Sequence, residues 1–145
     1  MPDFTLWYLT ETIIKLAMIT MIGLYFIFSN TIMHALSSVD NGAEVMVIIN
    51  KKILNPLFLG CFFLSGVGSL SLFFLSSGLT SAAGIVFFIG TVAVTVVFNV
   101  PLNDKLKDAQ KTEIKGVWKD YLSKWVVWNH VRTGCGVVSG LLLCL

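Results

Sequence analysis

The chain is short of charge. Asp, Glu, Lys and Arg make up 12% of its 145 residues, against about 25% in an ordinary soluble domain. Apolar residues make up 56%, and mean hydropathy is +0.85. That deficit points to lipid as the surrounding solvent rather than to an unusually large core. The net charge of +2 is too small to imply a nucleic-acid partner. Cysteine is scarce too: Cys61, Cys135 and Cys144 all fall in apolar segments without paired spacing. They read as buried thiols, not as a disulfide or metal framework. The first residues lack the basic region of a signal peptide, since Asp3 and Glu11 precede an apolar run too long for one.

What the chain does have is long apolar runs. A membrane-spanning helix needs about 20 mostly apolar residues, and four segments qualify: about 13–36, 53–75, 79–100 and 125–145. Val92–Val97 is rich in β-branched residues, but an open strand in hydrocarbon leaves its backbone unpaired, so helix is predicted there as well. The expected fold is all-α: one integral membrane domain, a four-helix bundle with a short amphipathic interfacial helix before helix four. Lysine placement orients it. Lys51 and Lys52 lie in the first connection, and Lys105, Lys107, Lys111, Lys115, Lys119 and Lys124 around the third, while Ser76–Ser81 is uncharged. The positive-inside rule then puts the first and third connections in the cytoplasm and both termini outside, in a multi-pass protein of the cell membrane. Lys15 dissents, and can snorkel outward.

Polar residues inside the runs mark the candidate site. In the first segment Asn30 and His34 are one turn apart, and the amide's need for a partner predicts that this face looks inward. Asn55-Pro56, which precedes the second helix, suits a helix start. Within that helix, Cys61, Ser65, Gly68, Ser69, Leu72 and Ser76 form a small-residue stripe fit for close packing, within one chain or between two. The third helix places Gly84, Thr91, Thr95 and Asn99 along one face, and Pro101 is expected to end it beside Asn103. Trp118, Tyr121, Leu122 and Trp125 repeat at helical spacing, which predicts the interfacial helix. In helix four Trp125, Asn129, Arg132, Gly136 and Gly140 fall within one arc at about 100° per residue. An arginine there needs partners, and no helix body holds an acid, so the candidates are Asn99, Asn103, Asn129, Asp104 at the boundary, helix carbonyls or an anionic ligand.

These residues form a recurring set: Phe28-Ser29, Met33-His34-Ala35-Leu36, Ile49-Asn50, Asn55-Pro56-Leu57-Phe58, Asn99-Val100-Pro101-Leu102-Asn103 and Trp128-Asn129-His130-Val131-Arg132-Thr133. The set resembles the anthrone-oxygenase-like family of small membrane proteins, many of unknown function, with His34 standing where proline is expected. The resemblance implies a four-helix membrane protein. Its characterised fungal members oxidise anthrones to anthraquinones with O₂, without metal or flavin, so no cofactor is expected. Under that reading His130 is the base and Arg132 holds the enolate. Asn99, Asn103 and Asn129 orient a lipophilic hydroxylated aromatic, and Trp125 and Trp128 stack on it. The site would sit at the cytoplasmic end of helices three and four, closed by helix one. Two other readings stand beside it. The asparagines and Arg132 can simply tie helices together, and the protein can be a non-enzymatic membrane protein that binds lipid or quinone or assists a partner membrane protein. A metal site is not expected, because only His34 and His130 offer imidazoles and no thiols cluster.

Overall fold

A computed structural model describes residues 2–145, with side chains from Thr5 onward. Among the described residues the chain is helical, with no strand. Helix α1 runs Pro2–Ile27, passes through a π-helical stretch Phe28–Ile32 and finishes as Met33–Ser37. Helix α2 is Gly42–Ile53, and α3 is Pro56–Leu75. Helix α4 starts as Gly78–Phe87, carries two π-helical stretches at Phe88–Ala93 and Thr95–Asn99, and ends as Val100–Lys107. Helix α5, Ile114–Cys144, is a single rod of 31 residues.

Three of these helices are long and apolar enough to cross a membrane: Thr5–Ser37, Pro56–Leu75 and Gly78–Lys107, with hydropathies of 1.9, 2.0 and 2.3. The fourth expected crossing is the second half of α5, whose Asn129, His130 and Arg132 dilute its apolar character.

The sequence explains the start of α3 directly. Asn55 is its N-cap, its Oδ1 accepting from the Phe58 backbone N–H at 3.1 Å, and Pro56 takes the first turn, where no donor is missed. The α3–α4 turn is tight because Gly78 takes φ +61°, a conformation open to glycine. The long helices pack side by side: α1 and α4 each lie against both α3 and α5, and α2 crosses the ends of α1, α4 and α5. Small residues set the spacing. Gly84 of α4 sits on the α3 backbone at Ser69 and Phe73, Gly68 on Ile14, Gly90 on Cys135 and Gly136 on Ile22. Two apolar cores result. One gathers Ile14, Met18, Met21, Tyr25, Leu72 and Phe87; the other gathers Phe28, Met33, Leu36, Met46, Leu106, Tyr121 and Trp125 around α2.

Three expectations change. Pro101 does not end its helix, which continues to Lys107. The π-helical stretch immediately before it has already displaced the hydrogen-bond ladder, so the missing N–H and the ring clash of proline are absorbed. Asn30 and His34 share a face, but that face is exposed. The inward positions belong to Phe28 and Met33, and the Asn30 amide finds a local partner in Thr31 Oγ1 at 3.3 Å. The aromatic repeat before helix four is not a separate helix but the first part of α5. Its Tyr121 and Trp125 are buried against α2 and the end of α4.

The close approach of Gly84 yields a prediction. A Cβ there would stand inside the Ser69 carbonyl, and an overpacked core costs about 1–3 kcal/mol. Gly84→Ala should therefore lower the melting point of the detergent-purified protein. Gly60→Ala, where a Cβ meets nothing within 4 Å, should not.

Candidate functional site

The site is built from one α5 face and the π-helical stretches opposite it. Asn129 and Arg132 are three residues apart on α5, and Arg132 Nε donates to Asn129 Oδ1 at 2.7 Å. Asn129 Nδ2 in turn donates to the Tyr25 carbonyl at 3.2 Å and to Ser29 Oγ. Ser29 also bonds Thr133 at 2.9 Å. Across the interface, Arg132 Nη1 donates to Thr95 Oγ1 at 3.3 Å, and Thr95 Oγ1 donates to the Thr91 carbonyl at 2.7 Å. Thr91 Oγ1 closes the loop onto the Arg132 carbonyl at 3.4 Å. One hydrogen-bond network thus joins α1, α4 and α5. Ser29 and Thr95 both occupy π-helical stretches, a helix form that often marks functional positions.

Arg132 is 5% exposed. Its guanidinium lies 4.1 Å over the Tyr25 ring and 5.0 Å from that of Trp125, contacts worth about 2 kcal/mol or more each when desolvated. No acidic side chain pairs with it among the described residues. Its hydrogen bonds use Nε and Nη1, leaving Nη2 without one.

Arg132 forms part of the wall of a cavity of about 560 Å³ between the five helices. Most of that wall is apolar, with Leu24, Phe28, Phe58, Leu59 and Phe62 among its residues. Three further wall residues carry a buried polar atom that makes no well-formed hydrogen bond: Tyr25 Oη, which lies near Thr95, Asn50 Nδ2, which lies near Tyr121, and Trp125 Nε1. All three atoms carry N–H or O–H donors. At the lysine-rich end the wall carries Asn103 and the exposed Lys51, Asp104 and Lys107. Asn103 Oδ1 accepts from Tyr121 Oη at 2.8 Å. Burial pushes the Tyr121 phenol well above the ordinary tyrosine range, so it stays protonated and remains that donor.

The structure therefore brings Arg132, Asn129, Trp125, Asn99 and Asn103 to one region. Asn99 is 2% exposed and ties α4 to α5 through the Trp125 carbonyl at 3.3 Å. Of these five, Arg132, Trp125 and Asn103 line the cavity, while Asn99 and Asn129 do not; two further expected site residues are also off its wall. His130 is exposed on the outer face of α5, and Trp128 stacks on Phe98 with ring centres 3.7 Å apart, neither of them on the cavity wall. The arc explains this: His130 is only one residue from Asn129, about 100° round the helix. His34 is also exposed. Among the described residues, no three of His, Cys, Asp and Glu gather closely enough to hold a metal ion. Tyr25 on the wall has no signal of its own, being one aromatic in an apolar run, and Lys51 signals only the orientation of its connection.

A sequence model of the anthrone oxygenase family matches residues 44–142. The chain belongs to the anthrone oxygenase family. The matched stretch covers α2, α3, α4 and nearly all of α5, with both the Asn99–Asn103 and Trp128–Thr133 motifs. In this anthrone oxygenase family member, α1 contributes Tyr25, Phe28 and Ser29 to the site from outside the matched stretch. No curated protein and no solved structure matches the chain.

The network orders two substitutions by stability. Asn129→Ala leaves the buried guanidinium short of a partner, and each buried group so stranded costs roughly 1–3 kcal/mol, more when charged. Arg132→Met removes the charge and keeps much of the volume, and it strands only neutral groups, Asn129 Oδ1 and Thr95 Oγ1, which costs less than stranding a charge. Thermal melts should place both variants below wild type, with Asn129→Ala the lower of the two. The reverse order would make Arg132 a clamp and nothing more.

Proposed function

We propose that this protein is a four-crossing cell-membrane protein that binds a lipophilic hydroxylated aromatic and oxidises it with O₂. The observation that carries this reading is Arg132: a buried residue with no acidic partner among the described residues, on the wall of an apolar cavity large enough for a fused aromatic ligand. A charge so placed is expensive in a membrane and normally serves a ligand or pathway. The fourth crossing is the apolar half of α5, where Asn129 and Arg132 face Tyr25 and Thr95 instead of lipid and His130 alone of the three is exposed. The lysine-rich connections lie in the cytoplasm and both termini outside.

The chemistry follows from the substrate. An anthrone carries a methylene opposite a ring carbonyl. Loss of one proton gives an enolate, whose oxygen is held by the free N–H groups of Arg132 in a dry site. The carbanionic carbon passes one electron to O₂, and the resulting radical pair combines to a peroxide. Loss of the second C–H proton with cleavage of the O–O bond leaves a ketone and water. The methylene supplies all four electrons, one oxygen atom ends in the ketone and the other in water, and no outside reductant enters. Among the described residues, the proton acceptor on the wall is the carboxylate of Asp104, not His130. Trp125 gives the ring system a flat neighbour, and Asn103 a polar contact at the other end.

One observation favours the second reading, a non-enzymatic binder of a lipid or quinone. No imidazole stands beside Arg132, and Asp104 is at the exposed rim. Purified protein separates the two. Oxygen uptake with hydroxyanthrones should persist in detergent and with chelator present. It should fall at least about a hundredfold in Arg132→Met, the loss typical of one oxyanion donor, and substantially in Asp104→Asn. Binding without uptake would leave the binder reading. The topology has its own check: a cysteine at Lys111 should resist impermeant label added to intact cells, and labelling would reverse the orientation.

A further inference from the structure

We infer that the cavity is loaded sideways from the bilayer, through a slit between α3 and α4, and not from the aqueous phase at its lysine-bearing rim. The inference rests on the membrane and ligand-binding reading above and adds the route by which the ligand arrives.

Three observations carry it. First, α3 and α4 are held together in only one half of their length. Near the turn, Gly84 lies on the α3 backbone, and Ser81 Oγ donates to the Phe73 carbonyl at 2.8 Å. Further along, Gly66 still meets Val92. Beyond that no hydrogen bond joins the two helices among the described residues, and the α3–α4 packing thins out before Thr95–Lys107. The cavity occupies the half they leave open.

Second, several wall residues are also outer surface. Phe63 of α3 is 63% exposed, Val96 and Val100 of α4 are 54% and 42% exposed, and Leu54 before α3 is 62% exposed, yet all four line the cavity. A residue that belongs to both surfaces marks an opening or a thin edge. All four are apolar, so in a membrane this edge meets acyl chains and costs the ligand no polar desolvation.

Third, the aqueous end is charged. Lys51, Asp104 and Lys107 stand there. A flat apolar ligand dissolves in the bilayer far better than in water, so its concentration is highest at the apolar edge. Arg132, on the α5 wall of the cavity, is the group that halts it.

A passage differs from a seat in what its alteration does. Narrowing it raises the barrier in both directions, so association and dissociation slow together and the equilibrium stays put. The test is stopped-flow quenching of tryptophan fluorescence by a dihydroxyanthraquinone, with full-length protein in phosphatidylcholine vesicles. Val96→Phe with Val100→Phe should slow both rates by about tenfold and leave Kd within about twofold. Both valines stand on the edge itself, lining the cavity and partly exposed, so the added rings crowd the opening and not the seat beside Arg132. Phe63→Ala, which widens the same edge, should speed both rates. In wild type, diluting the ligand with added lipid should reduce occupancy in step with its mole fraction in the membrane.

Unchanged rates in both slit variants, with rates altered instead in Lys51→Ala or Lys107→Ala, would overturn the lateral route in favour of the rim. A worsened Kd at an unchanged association rate would also overturn it, making the valines part of the seat. If wild-type protein that melts normally shows no saturable quenching at all, the ligand-binding reading itself fails and the route falls with it.

Discussion

The structure depends on how one positive charge is kept away from water. Arg132 carries a guanidinium that nothing in the apolar bodies of the helices can neutralise, so it is stabilised by dipoles and ring faces. Asn129 supplies an amide oxygen, Thr95 a hydroxyl, and Tyr25 and Trp125 their π systems. These groups come from three helices. The charge therefore fixes the mutual register of α1, α4 and α5, since a shift of either α1 or α4 along α5 removes a partner. Neutral partners also leave the positive potential intact. An acid in the same place would cancel it and close the site to an anion. The arrangement is stable enough to hold the cation and still unsatisfied enough to attract an oxygen that bears negative charge.

The π-helical stretches serve that arrangement. A regular α-helix has 3.6 residues in each turn, and an extra residue in one turn rotates the later side chains relative to the earlier ones. In α4 the stretches at Phe88–Ala93 and Thr95–Asn99 let Thr91, Thr95 and Asn99 all stay buried against α5, and the second leads into Pro101 without breaking the rod. In α1 the stretch Phe28–Ile32 turns Ser29 toward Asn129 while Asn30 faces out. Distortion of the helix is thus localised where side chains from different helices must meet.

Much of the helical architecture is legible in the sequence because hydropathy acts over long stretches. The all-helical class and the apolar runs come from composition that no single residue can reverse. The shared arc of Trp125, Asn129 and Arg132 is legible too, because it is a matter of helical angle alone. The details that stay hidden are local. Pro101 looks like a stop because the π-turn before it leaves no mark in residue type. Asn30 looks inward because the rule that amides need partners does not say how near the partner is. His130 is attractive for its chemistry, but it neighbours Asn129 in sequence and so points elsewhere. Tyr25 and Asn50 join the cavity wall through tertiary packing. A tyrosine in an apolar run, or an asparagine in a connecting helix, gives no hint of its neighbours across the bundle.

That pattern bears on the purpose of the cavity. A structural clamp needs its polar groups satisfied, and most here are: Asn129, Ser29, Thr91, Thr95 and Thr133 all have partners. The exceptions are not scattered. Of the buried side-chain atoms without a well-formed hydrogen bond, Tyr25 Oη, Asn50 Nδ2 and Trp125 Nε1 belong to cavity-wall residues, and the Asn99 amide oxygen lies on the helix turn next to that wall. Among the described residues, the buried side-chain atoms without a well-formed hydrogen bond thus gather around one apolar hollow. Helix association alone gives no reason for that concentration. A buried amide or indole N–H is stabilised by an acceptor, so this clustering supports the proposal of an oxygen-bearing ligand over a purely structural clamp.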